Sequence, residues 1–175
     1  NIDLSELTYV KILGGEPFMS PNFVKFIDYI SSRGNPANIF IEIATNGTKI
    51  PNKDVVKKLN RFRHLHLIVS LDSFNKSNDY QRFGSSYLET FKHVLEYEKI
   101  FKSKSIKFHC VVSVLTANSL ANTFSIISDK HNYYMSVDFV RYPEHLSLLY
   151  APPELVSWVV DSNKSHPKAH SLLST

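Results

Sequence analysis

The feature that most constrains this chain is its alternation between two hydrophobic periods. Five short runs rich in apolar and β-branched residues lie around 8–13, 39–44, 65–71, 106–115 and 136–140. Segments with apolar residues at helical spacing separate them. A period of two fits a pleated strand and a period of 3.6 fits a helix with one buried stripe, so the chain reads as repeated strand–helix units. Such units build a parallel sheet with right-handed crossovers, which set every strand's carboxyl end on one edge. In open α/β sheets and barrels that edge carries function. The expected fold class is α/β, with about five parallel strands and interleaved helices.

Polar residues punctuate those strand ends. The first run, Tyr9 to Leu13, closes in Gly14-Gly15-Glu16-Pro17. Two adjacent glycines leave the backbone open to close approach by a ligand, and a carboxylate beside them suits an ammonium group. An ordinary tight turn would use the same residues. The later runs end in Thr45-Asn46-Gly47, in Ser70 and Asp72, in Thr116 and Asn118, and in Arg141. Taken singly each has a structural explanation: Asn46-Gly47 is a favoured turn pair, and Ser70 or Asp72 can cap the turn that follows. Five polar ends on one edge point to a site.

The helical segments carry their own signals. Ser20-Pro21 offers an N-cap with proline at N1, followed by Phe23, Phe26, Ile27 and Ile30 on one face. Gly34-Asn35-Pro36 stops that helix, and another is expected from about 53 to 61. A long excursion, 74–85, precedes the capping box Ser86-x-x-Glu89, with Leu88, Phe91, Leu95 and Phe101 as the expected buried stripe. Further helices are expected through Leu120, Phe124 and Ile127, and through Leu155, Trp158 and Val159. The last dozen residues read as a loose tail.

Composition narrows the partners. At 175 residues and 43% hydrophobic the chain can bury one sizeable core, and its net charge of +4 is mild. Lys57, Lys58, Arg61 and Arg63, and also Lys99, Lys102, Lys104 and Lys107, read as solvated helix ends. Nucleic acid is therefore not an expected partner. No apolar run approaches the roughly 18 residues of a membrane span. The lone cysteine, Cys110, sits in an apolar strand as a small buried hydrophobe, and without a disulfide framework a cytoplasmic location is expected. His64 with His66, and His166 with His170, are not read as metal sites. The start at Asn1 is neither an initiator methionine nor a signal peptide, which leads to the expectation of a longer parent protein.

The ordered motifs resemble the core of the radical S-adenosylmethionine (radical SAM) enzymes. Val10 to Pro17 is similar to the strand ending in GGEP, and Ile43 to Thr48 to the strand with a TNG turn. Ser70-Leu71-Asp72 and the segment Asn78 to Arg82 are similar to the motifs that follow. Phe139 to Ser147, with Ala151 to Glu154, resembles the subgroup carrying a C-terminal twitch domain. The resemblance implies a partial (β/α) barrel over residues 1–160 that lacks its first strand and CxxxCxxC loop. Residues 161–175 would be a loose tail or the start of a linker to an auxiliary domain.

The same resemblance assigns roles. Gly14, Gly15 and Glu16, with Pro17 closing the motif, would hold the ammonium of S-adenosyl-L-methionine (AdoMet). Ser70 and Arg82 would face the ribose hydroxyls and the methionine carboxylate, Val140 and Arg141 would lie near the adenine, and Thr45 and Asn46 would shape the pocket floor. Asp72 would orient a neighbouring turn or reach substrate, and Arg82 could equally be an exposed residue at a helix start. The implied cofactors are AdoMet and a [4Fe–4S] cluster in the full-length protein, with an electron-donor protein and a peptide or small metabolite as partners. The departure is the cluster itself, since one cysteine cannot supply the three or four thiolates it needs. This chain alone is therefore expected to be inactive. Two other readings stay open: a cluster-free α/β enzyme using Glu16, Asp72 and Arg82, and a degenerate module binding a nucleotide or peptide.

Overall fold

The structure, a computed structural model, describes residues 3–174. Five strands, β1 (Tyr9–Ile12), β2 (Phe40–Thr45), β3 (His64–Ser70), β4 (Lys104–Val112) and β5 (Tyr134–Phe139), lie parallel in one sheet in that order. The helices are α1 (Pro21–Arg33), α2 (Lys53–Leu59), α3 (Lys76–Gln81), α4 (Tyr87–Ile100), α5 (Leu120–Phe124), α6 (Pro153–Ser162) and α7 (Pro167–Leu173). Two compact units divide the chain. One runs through Ser70 and resumes over Thr90–Lys107; the other comprises Leu71–Glu89 and the residues from Phe108 onward.

In the first unit the strands alternate as a half-covered sheet must. Val10, Ile41, Ile43, Leu65, Leu67 and Val69 are buried, while Lys11, Glu42, His64 and His66 occupy the alternate positions. Register is unbroken, with Tyr9 opposite Phe40 and Phe40 opposite His64, then Lys11 opposite Glu42 and Glu42 opposite His66. Phe23, Ile27 and Ile30 of α1 complete the core with Val55 and Leu59 of α2. Pro21 begins α1 as expected, but the Ser20 side chain makes no capping bond.

The buried stripe of α4 differs from the expected one. Phe91 and Phe101 are buried, but Leu88 and Leu95 are exposed, and Thr90, Val94 and Tyr97 take the inner positions. Tyr97 explains the rotation. Its ring packs against Phe18 and Phe101, and its hydroxyl donates to the Lys49 carbonyl at 2.8 Å. An inward tyrosine is stable when its hydroxyl finds such a partner.

In the second unit Phe108, Cys110 and Val112 of β4 and Met135 of β5 are buried, as are Leu120, Phe124, Ile127 and Val159. The excursion 74–85 contains α3, opened by Asn75, whose Oδ1 accepts the Ser77 N–H at 2.8 Å. Asn78 is its one buried residue, so no apolar period announced it. Beyond α5 the chain widens to a π-helix over Ser125–Lys130. Asn163 is fully buried and ties α6 to α5, accepting the Ala121 N–H at 2.7 Å and donating to Ala117 and Val159 carbonyls.

The expected loose tail is helical over α7. His166 caps it, stacks on Phe124 at 5.1 Å and places Nε2 3.1 Å from Asp129, while Ala169 is buried. Capping and one small buried side chain outweigh the polar composition that predicted a loose end. Among the described residues no helix is long and apolar enough to cross a membrane.

Candidate functional site

In the first unit the polar strand ends converge on Glu16. Gly14 and Gly15 turn the chain out of β1 at φ +86° and +56°, the left-handed region that glycine enters without strain. A Cβ on either would meet nothing within 4 Å, so the space in front of both is open. Glu16 then caps the short 3-10 turn Pro17–Met19, accepting the Phe18 N–H at 3.3 Å. Its Oε1 also accepts the Thr45 hydroxyl at 2.8 Å, and its Oε2 accepts the Asn46 N–H at 2.7 Å. One carboxylate therefore fastens the end of β1 to the end of β2. Pro17 and Thr45 are buried beside it.

The TNG turn is braced in its own right. Thr45 Oγ1 accepts the Gly47 N–H at 3.0 Å, and Asn46 Oδ1 accepts both the N–H and the hydroxyl of Thr48. Gly47 sits at φ +70°, and a Cβ there would lie 2.8 Å from Thr90 Cγ2. His93 Nδ1 bonds the Gly47 carbonyl at 2.8 Å. His93 and Tyr97 thus support the turn from α4, a role their sequence positions did not reveal, since neither stands near a motif. Ser70 ends β3 half-buried, one residue beyond Val69, which pairs with Thr45.

In the second unit the organising group is Asp72, 3% exposed. Arg82 forks onto it, Nε to Oδ2 at 2.7 Å and Nη2 to Oδ1 at 2.8 Å. Gln81 Nε2 adds a third donor at 2.8 Å and the Val111 N–H a fourth at 3.1 Å. Four donors saturate one carboxylate. The Asp72 carboxylate thus holds the Arg82 and Gln81 side chains against the backbone of β4. Arg82 lies at the C-terminal cap of α3 and its side chain is 26% exposed. Two of its five N–H groups are committed to Asp72, which leaves three for a ligand. Gln81 and Ser113, whose hydroxyl donates to the Gln81 side-chain Oε1, were missed by sequence reading, although Gln81 adjoins the arginine it helps hold.

Val140 and Arg141 follow β5, with the Val140 N–H bonded to the Val112 carbonyl at 2.9 Å. They border a cavity of about 360 Å³ with Phe139, Leu148, Val159 and Leu172. Cys110 is fully buried and donates its thiol to the Asp72 carbonyl at 3.0 Å. Burial first, and the Asp72 charge second, push that thiol up to about 12, against the opposing pull of Arg82.

A comparison with protein families places these elements. The radical SAM superfamily matches residues 3–119, more than half of the chain. The chain belongs to the radical SAM superfamily. No curated protein matches it. Among solved structures, anSMEcpe with bound AdoMet is 16% identical at a TM-score of 0.63, over 90% of this chain and 43% of that one. The same protein with AdoMet and the Kp18Cys peptide gives 16% and 0.62, over 89% and 45%. Streptococcus suis SuiB bound to S-adenosylmethionine gives 16% and 0.59, over 87% and 36%. The chain spans less than half the length of these proteins. At such identity the likeness shows the fold, and it confirms the expected α/β partial barrel.

The family's two groups fit these residues unequally. AdoMet suits the open backbone at Gly14 and Gly15 with a carboxylate beside it. A [4Fe–4S] cluster does not fit, because the only thiol, Cys110, is buried, protonated and engaged with a carbonyl.

Proposed function

We propose that this chain supplies the AdoMet-binding part of a radical SAM enzyme of the twitch-bearing subgroup, working in a longer cytoplasmic protein. The observation that carries the reading is the Gly14-Gly15-Glu16 turn. Its left-handed backbone faces open space, and its carboxylate is held at a fixed position by Thr45 and Asn46. In this reading Gly14, Gly15 and Glu16 take the AdoMet ammonium. Arg82 offers its remaining N–H groups to the methionine carboxylate, a geometry guanidinium favours. Ser70 faces the ribose, and Val140 and Arg141 serve the adenine beside an apolar cavity suited to a flat base. Asp72 is a positioning residue for Arg82.

Reductive cleavage of AdoMet to a 5′-deoxyadenosyl radical would require a [4Fe–4S] cluster on cysteines outside this sequence, and an electron-donor protein. The substrate is read as a peptide or small metabolite; the structure of anSMEcpe with AdoMet and a peptide supports the first. The test is calorimetric titration of AdoMet into the protein and its variants. Glu16→Ala and Arg82→Ala are each expected to weaken binding by about tenfold or more, as befits loss of a charge-assisted bond. Wild-type affinity in both variants, or no AdoMet binding by the wild type, overturns the reading.

A further inference from the structure

The opposite ends of the same strands carry a second cavity that the AdoMet reading does not use. It encloses about 430 Å³ and is bordered by Tyr9, Phe40, Glu42, His64, His66 and Ser105. Tyr9, Phe40 and His64 are the first residues of β1, β2 and β3 and sit side by side in register. The next residues on that face, two positions further along each strand, are Lys11, Glu42 and His66. An aromatic row therefore forms the rim and a polar row the floor. Tyr9 and Phe40 are 53% and 40% exposed.

The floor contains two buried acceptors without a hydrogen bond, Glu42 Oε1 and His66 Nε2. Glu42 Oε1 has the Lys11 ammonium 2.8 Å away as its ion-pair partner, and the surrounding bonds fix the character of the other. Ser103 donates its hydroxyl to the Arg63 carbonyl at 3.1 Å, so its oxygen must accept from His64 Nδ1, 3.1 Å away. A neutral His64 then presents a lone pair at Nε2, which takes the Ser105 hydroxyl at 3.0 Å. Ser105 in turn accepts from His66 Nδ1 at 2.7 Å. The proton of His66 is thereby placed on Nδ1, and Nε2 is left as a bare lone pair, buried and without a partner. A buried acceptor with no donor is a standing cost that a ligand's N–H or O–H would relieve.

Charge selects among ligands. Lys11 pairs with Glu42 at 2.8 Å, Lys107 acts on both Glu42 and His66, and the Arg63 guanidinium lies 4.7 Å over the Phe40 ring. A cationic ligand would meet these charges, and an anionic one would set oxygen lone pairs against the lone pair of His66. A neutral aromatic ring with one hydrogen-bond donor meets neither objection, and its faces suit Tyr9 and Phe40.

We propose that this cavity binds a neutral aromatic ring bearing an N–H or O–H donor, an indole or a phenol, with the donor on His66 Nε2 and the ring against Tyr9 and Phe40. The ring could arrive as a free small molecule or as a side chain of a peptide.

The experiment compares indole with benzofuran, which has the same shape but an oxygen in place of the N–H, by calorimetric titration into the protein near about pH 8, where imidazole is neutral. Indole is expected to bind about tenfold more tightly than benzofuran. His66→Phe, which keeps a ring and removes the acceptor, should bring indole down to the benzofuran level. N-acetyltryptophanamide binding at least as well as indole supports the proposal with a peptide side chain as the source; indole binding alone supports it with a free ligand. Equal affinity for indole and benzofuran, or binding of neither, overturns it. The ligand pair discriminates on wild-type protein, whether or not His66→Phe folds.

Discussion

The Glu16 carboxylate accepts the Asn46 backbone N–H at 2.7 Å, so the end of β1 and the turn after β2 share one anchor. The same carboxylate accepts the hydroxyl of Thr45, which is 2% exposed. Glu16→Ala strands that hydroxyl and the Asn46 N–H. It is expected to lower stability by about 1–3 kcal/mol, read as a lower urea midpoint at unchanged slope. An unchanged midpoint would mean that the two strand ends are held by packing alone.

Arg82 and Asp72 form a fork in which the carboxylate is nearly closed off from water while the guanidinium keeps 26% exposure. Asp72→Asn retains the shape but removes the charge and one acceptor for Arg82. Losing one member of a buried pair costs about 3–5 kcal/mol; the exposure of Arg82 places the expectation at the lower end. Chemical denaturation measures it. Arg82→Gln should cost more, because it leaves the buried Asp72 charge with only the neutral Gln81 and Val111 donors and no cation.

The glycines separate conformational strain from crowding. Gly15→Ala adds a Cβ in open space at φ +56°, at an expected cost of about 1–2 kcal/mol. Gly47→Ala meets the same backbone penalty and also sets Cβ 2.8 Å from Thr90 and 3.1 Å from Val69. It should be the more destabilising of the two. Thermal unfolding of both variants gives the order directly, and Gly15→Ala should lose AdoMet affinity beyond its loss of stability.

Cys110 should resist alkylation. Its thiol is pushed up to about 12 by burial and donates to the Asp72 carbonyl, so almost no thiolate exists near neutral pH. Iodoacetamide should leave the native protein unmodified and label it once in denaturant. Rapid native labelling would contradict the packing around β4.

Acid should weaken the first unit through His66. Burial first, then the Lys107 charge, hold its imidazole below the ordinary value, with His64 and Lys11 adding and Glu42 opposing. The unfolded chain therefore takes up a proton first as pH falls through about 6.5. The unfolded state binds more protons in that window, so this contribution to stability is fully present above it and is lost as pH falls. His66→Phe should flatten that part of the urea-midpoint profile. An unchanged profile would place the titration elsewhere.

The strands were legible because each combines a period of two with a polar stop, and all five appear within a few residues of their expected bounds. The GGEP and TNG motifs were legible as turns because glycine marks left-handed backbone. The partner of Glu16 was not, since a bond between residues 16 and 46 depends on parallel register rather than local pattern. For the same reason the partner of Arg82 was not legible, and the sequence offered that arginine only as a contact to AdoMet or an exposed residue at a helix start. Its engagement with Asp72 depends on α3, a helix with polar residues on every side that owes its start to Asn75. The inner face of α4 was misassigned because leucine spacing favoured Leu88 and Leu95, while a hydroxyl bond drew Tyr97 inward.

Asp72 gathers bonds from the backbone of β4, from the last residue of α3 and from the arginine beyond it. Such a hub makes tolerance to substitution uneven. A change at Gln81 removes one spoke and leaves three, its further cost being the buried Ser113 hydroxyl left without its acceptor. A change at Asp72 releases all of them at once, and no single replacement elsewhere could restore the set.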